Sequence, residues 1–182
     1  TPRVGLNYQY NDDILIYASV AQGFKSGGFN GRAASPDTVG PFEPEYVWTY
    51  EAGFKSELLN QSLRLNAAVF WNDYQDLQFG VSSLGDDGVT LLIGTENAAA
   101  AEIKGFEVEL AVVPIDNLNV NVTLGYLDAK FTEVAPDADE ITVDSKLMGT
   151  PEWTGSLAAD YLIPWEGVGD FTLAADYSYR SK

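Results

Sequence analysis

Large apolar side chains recur at every second residue through most of the chain, with polar or small residues between them. Val4, Leu6, Tyr8 and Tyr10 alternate with Arg3, Gly5, Asn7 and Gln9, and Tyr46, Trp48, Tyr50, Ala52 and Phe54 alternate with Thr49, Glu51, Gly53 and Lys55. The same rule runs through 63–71, 106–112, 118–126, 153–161 and 171–179. A period of two is that of a β-strand, whose successive side chains point to opposite faces; a helix would need a period near 3.6. Only 14–24 blurs it, with Ile14, Leu15, Ile16 and Tyr17 in a row. The pattern predicts about eight strands, most of them about ten residues long.

The connections alternate as well. Asn11-Asp12-Asp13 and the stretches 59–62, 114–117 and 164–169 are short and rich in Asn, Asp, Pro and Gly, as turns are. Between them lie three long polar stretches, 25–45, 80–100 and 130–150. In an up-and-down antiparallel sheet, that order puts every short turn at one end and every long loop at the other. Strands of about 9–11 residues cross a bilayer at a tilt. Short turns at one rim, long loops at the other and an aromatic-bearing apolar face predict an outer-membrane barrel. The fold class is therefore all-β, an antiparallel up-and-down transmembrane β-barrel segment.

The face opposite the apolar one bears Glu51, Lys55, Arg64, Glu107 and Glu109. Such groups are costly in a dry core, whereas a water-filled lumen accommodates them. Aromatics near the strand ends, among them Tyr8, Tyr10, Trp48, Trp71, Trp153 and Tyr177, suit the girdles of such a barrel. A sandwich would have shorter strands and no difference between its two ends. Hairpin units at a spacing near that of kelch repeats raise a propeller as competitor, but blades use strands of about five or six residues.

Composition removes several chemistries. The 182 residues include no Cys and no His, so disulfides, thiolate sites, Ser-His-Asp catalysis and imidazole metal ligation are excluded. Lys and Arg number 10 against 27 Asp and Glu, and the net charge of −17 argues against nucleic acid. Aromatics at 13% are more than a disordered acidic chain carries. The apolar runs are too short for a membrane-spanning helix. The chain opens at Thr1-Pro2 and stops at Lys182 in mid-pattern, and the expectation is an excerpt of a longer protein.

The stretch ILIYASVAQGFKSGGFN from Ile14 to Asn30, followed by Phe42, Pro44, Glu45, Tyr50, Glu51, Gly53 and Lys55, resembles the barrel of TonB-dependent outer-membrane receptors of the siderophore or iron-complex type. LNAAVFWNDYQDLQ (Leu65 to Gln78), Asn97 with AEIKGFEVEL (Ala101 to Leu110), GYLDAKF (Gly125 to Phe131) and the segment after Pro151 continue the likeness in family order. The resemblance implies a barrel of about 22 strands, of which residues 1–182 are a partial domain lacking the plug and the C-terminal strands. It implies transport rather than catalysis, a bacterial outer-membrane location, and no cofactor or resident metal. The partners it implies are outer-membrane lipid and lipopolysaccharide, a small ligand such as a ferric siderophore, and the TonB complex through the missing plug.

In that setting the glycine-bearing loop after Phe24 belongs to the outward-facing ligand funnel, and Phe24, Lys25, Phe29, Asn30 and Arg32 are the candidates to contact an anionic iron chelate. Ser26 to Arg32 lacks the spacing of a phosphate loop, and its glycines also suit a strand that turns into an exposed loop. Glu107 and Glu109 stand roughly 7 Å apart by strand rise, a separation a glycosidase uses, but charges on a wetted wall are the commoner case. Glu133, Asp137, Asp139, Glu140 and Asp144 form an acidic loop without the full pattern of a calcium loop. A second reading is a self-contained eight-stranded outer-membrane barrel with an adhesin or structural role. A third is a soluble β-rich enzyme built on the carboxylate pair.

Overall fold

The computed structural model describes residues 1–30, 40–84, 89, 91–135 and 141–182. In chain order the strands are β1 (Arg3–Asn11), β2 (Ile14–Lys25), β3 (Gly28–Phe29), β4 (Pro41–Phe42), β5 (Glu45–Leu58), β6 (Leu63–Leu84), β7 (Leu91–Ile115), β8 (Leu118–Val134), β9 (Trp153–Trp165) and β10 (Gly169–Arg180). Eight of them form one antiparallel sheet in the order β1-β2-β5-β6-β7-β8-β9-β10, while β3 and β4 make a separate small hairpin. The sheet is open, with β1 and β10 as its edges. Among the described residues no helix is long and apolar enough to cross a membrane, which says nothing of crossing by strands.

Register carries the sequence period across the whole sheet. One line of cross-strand neighbours reads Tyr8, Ile16, Phe54, Ala67, Val108, Leu124, Gly155 and Tyr179. The line beside it reads Gln9, Leu15, Lys55, Asn66, Glu109, Thr123, Ser156 and Ser178. A slip of one residue between any two strands would mix the faces, so the hydrophobic pattern fixes the pairing. The blurred run also resolves: Ile14 and Ile16 take the apolar face, Leu15 and Tyr17 the polar one.

Neither face is the core of a soluble domain. Leu6 is 75% exposed and Leu173 64%, and no large side chain of the described residues is fully buried. An apolar patch spanning eight strands far exceeds the few hundred Å² that a soluble monomer tolerates. On this face Ser56 is buried and donates from Oγ to the Leu65 carbonyl at 2.6 Å, so a hydroxyl is not left bare there.

Two glycines let aromatic rings lie flat on the polar face. A Cβ on Gly53 would fall 2.5 Å from the Ala67 carbonyl oxygen and 2.9 Å from the Tyr17 ring. One on Gly105 would fall 2.0 Å from the Tyr126 carbonyl oxygen and 3.0 Å from the Phe70 ring. Tyr17 is the register partner of Gly53, and Phe70 that of Gly105. Each ring covers the ladder that the missing side chain would leave bare, a pairing known to stabilise strands.

Strand length departs from expectation in one hairpin. The stretch 80–100, which read as a loop, is largely strand: β6 has 22 residues and β7 has 25. No proline or turn sequence interrupts pairing before Gly85-Asp86-Asp87-Gly88, so the ladder runs on past the other strands. It bends where the register shifts between Tyr74 and Gln78, with Asp76 in the left-handed region at φ 56°. Beyond that bend lies the one buried apolar cluster of the described residues, Ala99, Ala101 and Phe131, with Tyr74, Leu77 and Leu147 against it. At the other end the turns are tight, with Leu59, Asn60 and Gln61 all at positive φ and Ser62 N donating to the Leu59 carbonyl at 3.2 Å.

Candidate functional site

The connection from β2 to β5 does not hang free at the loop end. Its hairpin closes with Asn30 N donating to the Gly40 carbonyl at 3.0 Å. Three side-chain amides then fasten it to the extended β6–β7 hairpin. Asn30 Nδ2 donates to the Thr95 carbonyl at 3.1 Å while Thr95 N donates to Asn30 Oδ1 at 2.9 Å. Asn97 accepts from Glu43 N at 2.7 Å and donates to the Glu43 carbonyl at 2.9 Å and the Asp76 carbonyl at 2.7 Å. Gln78 Nε2 donates to the carbonyls of Ser26 and Glu43, both at 3.0 Å.

An amide carries a donor and an acceptor on one plane, as a peptide does, so Asn30 and Asn97 each replace one rung of a ladder where no strand is present. Glu45 completes the fastening: its carboxylate accepts from Gln78 N at 3.1 Å and pairs with Lys25 Nζ at 3.8 Å. The outcome is a loop platform held at a fixed height over the end of the wall.

The predicted contact residues fall in different places. Lys25 is on the polar register face against Glu45, and Phe24 is on the apolar face opposite Tyr46. Phe29 is 63% exposed on β3 opposite Pro41. Asn30 spends its amide on Thr95, and Arg32 lies outside the described residues. Asp137, Asp139 and Glu140 of the acidic loop lie outside them too. Gln78 and Asn97, which do most of the fastening, stand within the motifs quoted above but carried no chemical signature of their own. They are register partners within the β6–β7 ladder, and nothing in their local sequence marks them out.

The polar wall below the platform is a hydrogen-bonded ladder rather than a cleft. Arg64 pairs with Glu57 at 2.7 Å, Asn66 Nδ2 donates to Glu109 Oε2 at 3.3 Å, and Asn119 Nδ2 donates to Asp160 Oδ2 at 2.8 Å. Glu51, Lys55, Glu107 and Glu109 share this face, and none of the four forms an ion pair among the described residues. Glu107 and Glu109 are both exposed on an open wall, without the enclosing walls that hold a sugar between two carboxylates. No cluster of the described residues could hold a metal ion.

The apolar face ends at aromatic rings in both directions. Toward the loops, Tyr50 stacks on Trp71 at 5.2 Å, and Tyr126 lies 5.7 Å from Phe106 and 4.8 Å from Trp153. Toward the turns, Trp165 meets Phe171 at 5.5 Å. From Trp71 down to Leu63 the strand covers roughly 26 Å at its usual rise, which at the tilt of about 35–45° usual in outer-membrane barrels is roughly 20 Å of their apolar band of about 25 Å.

The family model described as TonB dependent receptor-like, beta-barrel matches residues 1–182. The chain belongs to the TonB-dependent receptor β-barrel family. Its members are Gram-negative outer-membrane proteins, transporters rather than enzymes. Among curated relatives of this TonB-dependent barrel segment, the ferric-pyoverdine 358 receptor of Pseudomonas putida is 30% identical, covering 100% of the chain and 20% of the relative. The metal-pseudopaline receptor CntO of Pseudomonas aeruginosa is 27% identical, covering 88% of the chain and 20% of the relative. The chain thus spans about a fifth of the length of these relatives. The ferric yersiniabactin uptake receptor FyuA of Yersinia pestis superposes with a TM-score of 0.72 at 20% identity, covering 96% of this chain and 28% of that one. The open sheet, with β1 and β10 unpaired to each other, is a section of such a barrel and not a closed eight-stranded one.

Proposed function

We propose that this chain is barrel wall and outward loops of a receptor that binds and actively imports a scarce ligand, a ferric siderophore in class. The observation that carries the reading is a wall with an apolar face bounded by aromatic rings and a polar face that ends at a fastened loop platform. A diffusion pore needs no such platform; a receptor that holds ligand before moving it does. Relatives named for ferric pyoverdine and metal-pseudopaline support the ligand class.

Residues 1–182 in this reading are a partial barrel domain. The plug and remaining strands come from the rest of the protein, and contact with the TonB complex is made through that plug. Lys25 and Phe29 line the funnel and meet an anionic chelate, while Asn30 acts through the platform it fastens. Lipid and lipopolysaccharide surround the apolar face.

Uptake of radiolabelled ferric siderophores is the direct measurement, in cells with the intact gene and with the gene deleted, under iron starvation. Deletion is expected to abolish uptake of one chelate class, with iron-repressed expression of the gene. Unchanged uptake of every ferric chelate, together with expression indifferent to iron, would end the siderophore reading and leave the fold untouched.

A further inference from the structure

Uncompensated positive charge gathers at one place in this acidic chain. Lys146, Arg180 and Lys182 line one cavity of about 200 Å³ at the loop end of β8, β9 and β10. None of the three forms an ion pair among the described residues, although the sequence holds 27 Asp and Glu against 10 Lys and Arg. Two carboxylates also line the cavity, Asp128 and Glu152. Asp128 belongs to the apolar register face with Lys104, whose Nζ lies 3.8 Å away. The cavity thus keeps a net positive charge, while the neighbouring polar wall bears Glu107 and Glu109.

Backbone bonds hold the cavity on both sides. Ser181 N donates to the Trp153 carbonyl at 2.8 Å and Trp153 N donates to Ser181 Oγ at 3.0 Å, which pins the end of β10 beside Arg180 and Lys182. Leu127 N donates to the Glu152 carbonyl at 2.9 Å, and Thr150 Oγ1 to the Leu147 carbonyl at 2.7 Å. Leu147 in turn packs on the buried cluster of Ala99, Ala101 and Phe131. The segment that carries Lys146 is therefore fastened before any ligand arrives, which lowers the ordering cost of binding.

Arg180 is on the polar register face, in a row that runs through Thr154 and Gly125 to Glu107. Gly125 leaves that row low, since a Cβ there would fall 2.7 Å from Thr154 Oγ1. Arg180 Nη2 makes one long bond of 3.5 Å to the Gly149 carbonyl, and its other N–H groups have no acceptor among the described residues. Three cations in one cavity repel one another, and an anion removes that repulsion. A guanidinium holds a carboxylate through two parallel N–H···O bonds, whereas an ammonium adds charge without directing it.

We propose that this cavity is an anion subsite of the ligand funnel, taking the carboxylate arm of a ferric chelate on Arg180 with Lys146 and Lys182 beside it. The proposal rests on the receptor reading and deepens it by dividing ferric chelates according to their chemistry. Chelates that present carboxylates are favoured, and neutral hydroxamate chelates are not. Lys25 already has the Glu45 carboxylate 3.8 Å away, so the stronger hold on an anion falls to Arg180.

The experiment measures equilibrium binding of radioiron-labelled chelates to the full-length receptor in non-ionic detergent. The probes are ferric citrate and ferric rhizoferrin, which present carboxylates, and ferrichrome, a neutral hydroxamate chelate. A carboxylate chelate is expected to bind at least about tenfold more tightly than ferrichrome, the scale of one charge-assisted hydrogen bond. Arg180→Gln is expected to remove most of that preference. Arg180→Lys, which keeps the charge and loses the fork, is expected to restore only part of it. Lys146→Gln is expected to lower the preference by about threefold and to flatten its dependence on salt.

Wild-type preference in both Arg180→Gln and Lys146→Gln would overturn the proposal. So would a wild-type receptor that binds ferrichrome as tightly as either carboxylate chelate. Should Arg180→Gln fail to fold, Lys146→Gln and the chelate series decide, since Lys146 lies outside the strands. Binding and uptake of ferrichrome without any carboxylate preference end this inference and leave the receptor reading standing. Failure to bind or import any ferric chelate ends both.

Discussion

Asn97 and Glu43, 54 residues apart in the chain, exchange two hydrogen bonds as two paired strand residues would, although Asn97 uses its side chain to do it. A third bond, from Asn97 Nδ2 to the Asp76 carbonyl, ties the same amide to the left-handed residue at the bend of β6. One side chain thus joins the loop, the bend and β7. The height and tilt of the loop platform depend on it.

Asn97→Ala removes all three bonds. At about 0.5–1.5 kcal/mol net for each, the platform loses on the order of 2–3 kcal/mol of local stability. Hydrogen exchange at the Glu43 amide in the full receptor should accelerate by tenfold or more, while strands such as β8 and β9 keep their protection. Asn97→Asp keeps the acceptor, loses both donors and sets a carboxylate against two carbonyls, so it should loosen the platform no less than alanine. Exchange at Glu43 unchanged in both variants would mean that the platform is held elsewhere.

Gly105→Val tests the aromatic–glycine pairing. The new Cβ would meet the Tyr126 carbonyl oxygen at 2.0 Å, a backbone atom that moves only if β7 and β8 separate. The full receptor should then lose the heat-modifiable mobility that marks a folded barrel on gels. Gly80→Ala is the control, since nothing lies within 4 Å of its Cβ, and it should migrate as wild type.

Arg64 and Glu57 pair at 2.7 Å with side chains 60% and 49% exposed, which marks them as groups in water. Such a pair is worth about 0.2–1 kcal/mol. Arg64→Gln should therefore shift the unfolding free energy of the full receptor by less than about 1 kcal/mol, and salt should erase most of that. A loss near 3–5 kcal/mol would signal a charge stranded in a dry core and would contradict a wetted lumen.

Face assignment was legible in the sequence because it needs only local parity. Val108 and Leu124, on adjacent strands, declare themselves by alternation, and their pairing follows from it. The alternation of short and long connections likewise fixed which end bears the loops. The length of β6 and β7 was not legible, because pairing beyond the membrane needs no apolar run and stops only at a turn sequence. The fastening of the platform was hidden for another reason. Asn30, Gln78 and Asn97 are ordinary polar residues until the fold brings strand ends 35–65 residues apart into register.

Leu124 and Thr123 are adjacent in β8 and point to opposite faces, which makes them the sharpest test of where hydrocarbon lies. Leu124 is 41% exposed and has Val108 and Gly155 as its neighbours, near the middle of the apolar band. Leu124→Arg places a guanidinium in lipid and should cost about 2–4 kcal/mol in folding of the full receptor into vesicles. Thr123→Arg points into the lumen beside Glu109 and Ser156, gives up one hydroxyl contact of 2.7 Å, and should cost less than about 1.5 kcal/mol. The contrast between the two, rather than either value alone, is the readout. Equal costs at the two sites, or the larger one at Thr123, would place the apolar face against protein or water and remove the membrane from the account.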